Sequence, residues 1–445
     1  MQNEIRRLLV RLESLTVFRD LLKDEVVERF IRLLETCAEK QSSKEFVSRY
    51  SDFLHQLVEH GMMLKLPGIR SFGEYLIHAI LYRENSVSKM AEQVSSGQLP
   101  GWMAQELAKE LNILGELAAL SSRRIKSEWL QNHDHESAEI ISDLPEWDTC
   151  PKAHSIFEPG KPWGEGSTRL LDFYSKYGSG IFARYKGFIW ERSGDKGSLR
   201  GVDDPDPVRL SDFIGYELQR NEIVENTLQF IKGYPANNLL LYGDRGTGKS
   251  STVKALLNEY YTLGLRIIEI PKELLADFGQ ILGIIRNRPQ KFIAFIDDLS
   301  FSDEESSYTA LKAVLEGSLE NRPANLLVYA TTNRRHLIKE RFSDRAGLTS
   351  GQADDEIHAA DTMQEKLSLA DRFGMTITFT APDRDEYLEI VEGLAHKRGI
   401  RVEKDVLHKK AIQWEMLYNG RSPRTALQFI NWLEGHQKMN WESGG

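Results

Sequence analysis

Apolar residues recur at helical spacing through the first third of the chain. Over residues 24–38, Val26, Phe30, Leu33, Leu34 and Cys37 fall on one face, which predicts an amphipathic helix. Cys37 lies inside that stripe and reads as a core side chain rather than a nucleophile. Ser42 with Glu45 three residues on forms a capping-box signature for a second helix. That helix carries Phe46, Tyr50, Phe53, Leu54 and Leu57, with Gly61 as its expected stop. A third run, 102–117, places Leu107, Leu111 and Leu114 on one stripe. No fixed period joins these segments, so a helical domain over 1–130 is expected rather than a repeat solenoid. From about residue 208 the pattern changes. Short apolar runs at 238–242, 265–270, 292–296 and 326–329 alternate with helical segments at 252–261 and 273–285. Alternation of this kind predicts an α/β domain with a parallel sheet.

Between these regions the chain is harder to read. Residues 131–150 hold Asp134, Glu136, Glu139, Asp143, Glu146 and Asp148 without a Lys or Arg, the composition of an exposed acidic linker. His133, His135, Cys150 and His154 lie in or near it, at spacings that match no zinc pattern. Residues 171–190 interleave Phe173, Tyr174, Tyr177, Phe182, Tyr185, Phe188 and Trp190 with Lys176, Arg184 and Lys186. Two readings stand here. One is a pair of strands turning at Gly178 and Gly180, with rings packed on the α/β domain. The other is a stacking platform for single-stranded nucleic acid. Residues 193–207 read as a loop, and 131–207 as a whole as an acidic linker and aromatic-rich connecting segment.

Composition narrows the classes. A chain of 445 residues fits two or three domains. No apolar run reaches the roughly 18 residues of a membrane span. Residues 1–12 mix acids and bases without a signal-peptide core, and a cytoplasmic protein is expected. The net charge of −9 argues against a broad nucleic-acid-coating surface and leaves room for a local basic patch. The two cysteines, Cys37 and Cys150, allow at most one disulfide and no four-cysteine zinc site.

The chemistry concentrates at Gly243, Asp244, Arg245, Gly246, Thr247, Gly248, Lys249 and Ser250, a full Gly-x-x-x-x-Gly-Lys-Ser match followed by Ser251. Glycines let successive N–H groups turn toward phosphate oxygens, and the helix that starts there adds its positive end. Lys249 can reach the outer phosphates of a nucleotide, and the Ser250 hydroxyl can sit on Mg²⁺. The apolar run 292–296 ends in Asp297-Asp298, where a carboxylate beside the loop can hold Mg²⁺ through water. The next strand ends in Ala330-Thr331-Thr332-Asn333, which sets a polar group where an attacking water would be positioned. Asp277-Phe278-Gly279 matches the kinase metal-binding triplet, but neither the kinase glycine loop nor its catalytic-loop pattern is present, so the match is rejected.

In this order, with Ala370-Asp371-Arg372-Phe373-Gly374 and Gly420-Arg421-Ser422-Pro423-Arg424, the motifs over 208–436 resemble the AAA+ ATPase superfamily. Pro235-Ala236-Asn237-Asn238, Asp297-Asp298-Leu299-Ser300-Phe301 and Thr332-Asn333-Arg334-Arg335-His336-Leu337 are similar to an uncharacterised bacterial family of ATP-binding proteins within it. The resemblance implies a sheet ordered 5-1-4-3-2 in a core over 208–381, a helical lid over 382–445, and ATP and Mg²⁺ as ligands. It implies Asp297 as the metal-associated acid and Asp298 as the base, one methylene shorter than the usual glutamate. It further implies Asn333 as the first sensor, Arg424 as the second sensor, Ile214 and Gly215 over adenine, and Arg372 as an arginine finger acting on a neighbouring subunit. An ATP-promoted homo-oligomer follows from that last role, with residues 343–365 an insertion that is either a subunit contact or a surface loop. The expected function is ATP hydrolysis that remodels or switches a macromolecular partner, with a protein client on the N-terminal domain. A nucleic-acid-linked helper of the helicase-loader or transposition type, and a slow ATP-sensing switch, stand as alternatives.

Overall fold

The computed structural model describes residues 2–39, 41–63, 71–93, 99–132, 137–147, 155–158, 160–194, 196–299, 311–312, 314–315, 323–333, 372–418 and 420–442. The chain forms two compact units, Met1–Arg184 and Tyr185–Gly445.

The first unit is helical, and the apolar stripes build its core. The helix Glu25–Glu39 buries Val26, Phe30, Leu33, Leu34 and Cys37. Ser42 caps the helix Ser43–Met63 by accepting the Glu45 N–H at 3.3 Å, while the Glu45 carboxylate pairs with Arg49. Gly61 does not stop this helix, which runs on to Met63. Leu107, Leu111 and Leu114 are fully buried on the helix Gly101–Ala118. Phe30, Phe53 and Phe72 meet at ring distances of 4.2–5.4 Å.

The unit does not end near residue 130. Trp147, inside the stretch that reads as an acidic linker, packs edge-on against Phe30 and Phe53 and donates its indole N–H to Leu120 O at 3.3 Å. Glu139, Asp143 and Glu146 are exposed while the Trp147 ring enters the core, so charge content alone misleads here. His133, His135, Cys150 and His154 lie outside the described residues, as does the insertion 343–365. Residues 167–184 are helical rather than paired strands, in Ser167–Tyr177 and Gly180–Arg184. Tyr174 and Phe182 are buried in this unit, and Phe188 and Trp190 in the other. The rings that look like one platform in sequence are thus divided between two cores.

The second unit carries a seven-stranded sheet. Its strands are β1 Gly187–Ser193, β2 Lys196–Val202, β3 Leu239–Gly243, β4 Leu265–Glu269, β5 Lys291–Ile296, β6 Leu326–Thr332 and β7 Met375–Phe379, in the order β2-β1-β4-β5-β6-β3-β7. All neighbours are parallel except β1 and β2. Counted from the P-loop strand β3, the five strands β7-β3-β6-β5-β4 run 5-1-4-3-2, the expected order. β5 and β6 are buried almost throughout, as strands covered on both faces must be.

The β1–β2 hairpin extends the sheet beyond β4, where a loop is expected from the sequence. Its glycines permit the turn, and Lys196 and Arg200 on the outer strand discourage further pairing. Asp277 is buried beneath this hairpin. It accepts the Trp190 indole N–H at 3.1 Å and Arg192 at 2.7 Å, an architectural anchor with no kinase-like role. After β7 come the lid helices Arg384–Lys397, Lys404–Leu417 and Pro423–Glu442, packed around Tyr387, Val391, Ala411, Phe429 and Ile430.

Candidate functional site

The parallel strands bring their carboxyl ends together, and the polar residues at those ends meet there. β3 ends at Gly243 and the helix Lys249–Tyr260 starts at Lys249, so the loop must turn tightly between them. Gly243 has φ 139°, and a Cβ there would stand 1.9 Å from Phe379 O on β7. Gly246 has φ 79° and faces the lid, where a Cβ would meet Ser422 Oγ at 2.9 Å. These two positions require glycine on both backbone and packing grounds.

Lys249 is buried to 5 % exposure, and its ammonium donates to Gly243 O at 2.9 Å, Asp244 O at 2.7 Å and Asn333 Oδ1 at 2.9 Å. Burial pulls its pKa down to about 8, against the opposing pull of Asp244, Asp297 and Asp298. The other end of the Asn333 amide donates to Asp298 Oδ1 at 2.8 Å. Lysine, amide and carboxylate therefore form one hydrogen-bonded chain across β3, β6 and the end of β5.

Asp297 Oδ1 accepts three bonds: from Ser250 Oγ at 2.5 Å, from Thr331 Oγ1 at 2.6 Å and from the Asp298 N–H at 3.1 Å. Ser250 spends its proton on this carboxylate, so its oxygen lone pairs remain for a cation. A hydroxyl beside a carboxylate is a hard-oxygen donor set that fits Mg²⁺. Among the described residues, no group of three or more His, Cys, Asp or Glu side chains is placed to hold a metal ion, so the protein would supply only this hydroxyl and carboxylate. Asp298 adopts the left-handed region at φ 48°.

These groups open into a cavity of about 940 Å³ lined by the P-loop from Arg245 to Ser251, the ends of β5 and β6, the segment around Phe213, and the lid. Ile214 and Arg424 line it, whereas Gly215 does not; its φ of 74° turns the chain into Tyr216. Gly243 and Asp244 also stand outside the lining. The Asp244 carboxylate instead accepts the Ala381 N–H at 2.7 Å and ties the loop to the segment after β7. Arg424 joins lid to loop, its backbone N–H donating to Gly246 O at 3.1 Å.

Arg372 does not join this group. It precedes β7, whose Met375 pairs with Leu239 while Phe379 pairs with Gly243 at the P-loop end. The strand alone puts roughly 13 Å between those ends.

Sequence reasoning missed Phe213, Tyr216, Lys397 and Thr331, all of which line the cavity. Lys397 donates to the carbonyls of Ser211 and Phe213, pinning the lid to this wall. Only Thr331 left a readable signal: it stands near the end of β6, two residues before Asn333.

Solved structures similar to the chain include the Thermotoga maritima RuvB Holliday junction branch migration motor, at 15 % identity and TM-score 0.32 over 50 % of this chain and 71 % of that one. Two point variants of that motor give 15 % identity, TM-score 0.32 and the same coverage. No curated protein matches the chain. A family model described as "Protein of unknown function (DUF815)" matches residues 183–437, more than half of the sequence and all of the cavity-forming elements, and the chain belongs to that family.

Proposed function

We propose that the chain binds Mg²⁺-ATP in this cavity and hydrolyses it, and that hydrolysis remodels or switches a macromolecular partner. The observation that carries this reading is the pair of linked networks, Ser250–Asp297 and Lys249–Asn333–Asp298, at the mouth of one glycine loop. The loop N–H groups and Lys249 hold the phosphates. Ser250 and Asp297 hold Mg²⁺, which neutralises charge on the phosphate oxygens when bound. Asn333 and Asp298 orient a water. As its oxygen bonds to the terminal phosphorus and the bond to the bridging oxygen breaks, Asp298 takes the water's proton, giving ADP and phosphate. Phe213, Ile214 and Tyr216 give the base an apolar wall.

Arg424 reaches the phosphates from the lid. Arg372, at the far end of β7, is suited to a neighbouring copy's site rather than its own, which supports an ATP-promoted homo-oligomer. The N-terminal helical unit is the surface for a protein client. The nucleic-acid reading loses its main support, because Tyr174, Phe182, Phe188 and Trp190 are buried.

The test is ATP turnover per subunit against protein concentration, with Lys249→Ala and Arg372→Ala alongside. Turnover that rises with concentration and is lost in both variants is expected. Flat turnover with Arg372→Ala unaffected would overturn the composite site.

A further inference from the structure

The acid proposed as the base is an aspartate, a short side chain, and it is delivered by a left-handed backbone turn. Asp298 is one of two non-glycine residues with positive φ among the described residues. Left-handed backbone is disfavoured for most side chains with a Cβ; aspartate is one of the few that visit it, and surrounding hydrogen bonds keep it there. Besides the Asp297 carboxylate and the Asn333 amide, those contacts come from one residue of β6. The Thr331 hydroxyl accepts the Asp298 N–H at 2.9 Å and donates to Asp297 Oδ1 at 2.6 Å, while Thr331 O accepts the Leu299 N–H at 2.7 Å. Thr331 is 2 % exposed, so this geometry is fixed by packing as well as by hydrogen bonds. Two residues on, just past the end of β6, the Asn333 amide donates to the carboxylate that the turn presents.

We infer that Thr331 is a positioning residue for hydrolysis: its hydroxyl locks the left-handed turn that aims the short Asp298 side chain at the attacking water. The inference rests on the proposed ATPase reading. A hydroxyl is needed because the same oxygen must both accept an N–H and donate to a carboxylate. Valine has the same shape and can do neither.

Thr331→Val and Thr331→Ser test this by steady-state turnover, by fluorescence titration with a fluorescent ADP analogue in Mg²⁺, and by thermal unfolding. Thr331→Val is expected to lower kcat about ten- to hundred-fold, the cost of misplacing a reacting group by a fraction of an ångström to one ångström. KM and the affinity for the analogue should stay within about threefold, the signature of an interaction used in the transition state. Thr331→Ser should keep kcat within about threefold of the native chain. If valine unfolds the protein, Thr331→Ala is read in its place. Native kcat in the valine variant overturns the inference. So does a loss confined to KM and analogue affinity, which would make Thr331 part of the binding surface, or a serine variant as slow as valine, which would make its shape the cause. If the native chain does not turn over ATP, the proposed function falls and this inference falls with it; native turnover with an indifferent Thr331 removes the inference alone.

Discussion

Both units bury charged side chains, and they use them differently. In the helical unit Glu110 is fully buried, and its carboxylate is consumed by the N–H groups of Thr16, Val17 and Phe18 and the Thr16 hydroxyl, at 2.6–3.0 Å. Asp24 is used up in the same way by Val26 N–H, Val27 N–H, the Tyr75 hydroxyl and Arg83. Lys126 donates to Ser142 O and Leu144 O. Each of these charges closes a chain reversal inside a core. In the α/β unit buried Lys249, half-buried Asp297 and exposed Asp298 share hydrogen-bond partners at the edge of a cavity. A buried charge whose partners all lie inside a core is architecture, whereas one that lines a cavity is available for chemistry.

This contrast has measurable consequences. The largest concern turnover. Arg372→Ala should lower kcat on the order of 10³-fold if the arginine serves a neighbouring site, read by phosphate release at saturating ATP. Lys249→Ala should bring turnover to background, with the thermal midpoint within a few degrees of native, since its loss opens a site rather than a core. A large fall in stability for Lys249→Ala would break the contrast. In the other direction, Glu110→Ala should destabilise the helical unit by roughly 3–5 kcal/mol, because four donors lose their acceptor. Denaturant unfolding measures this, and turnover per folded chain should hold.

Acid offers a smaller effect. Burial, reinforced by Arg184 and Arg83, lowers the His78 pKa to about 4 from 6.5. Between these values the unfolded chain binds a proton that the folded chain does not, so stability is lost as pH falls from about 6.5 toward 4. The loss is at most about 3 kcal/mol. His78→Gln should flatten that slope in unfolding curves taken across the range. The smallest expected effect is chemical: burial lifts the Cys37 thiol to about 12, so it stays protonated at pH 8. Thiol reagents should label it only upon unfolding. Fast labelling of the native chain would mean that the helical core opens more readily than its packing implies.

Much of the molecule was legible before any fold was known. The glycine pattern, the apolar strands and the helical stripes each depend on neighbours in sequence, through backbone freedom or a period of two or 3.6 residues. Gly243–Ser250, Asp297, Asn333 and the Val26–Cys37 stripe could therefore be named from local pattern, and resemblance supplied the strand order that pattern could not. What failed depended on distance. Trp147 reaches a core through a run of acids. The aromatic stretch 171–190 is divided between two units. Asp277 anchors a hairpin that glycines disguised as a loop.

Sequence by itself determined which residue types could carry phosphate and metal chemistry, because a glycine's positive φ, a lysine's reach and a carboxylate's charge belong to the residue. Tertiary structure alone decided which of them meet. Arg424 comes to Gly246 from the lid, Arg372 is carried to the opposite end of β7, and Thr331 bridges two aspartates across a strand pair. Hydrogen bonds act over about 3 Å, whatever the separation along the chain. Partners brought together by strand order and register therefore leave no trace in local pattern.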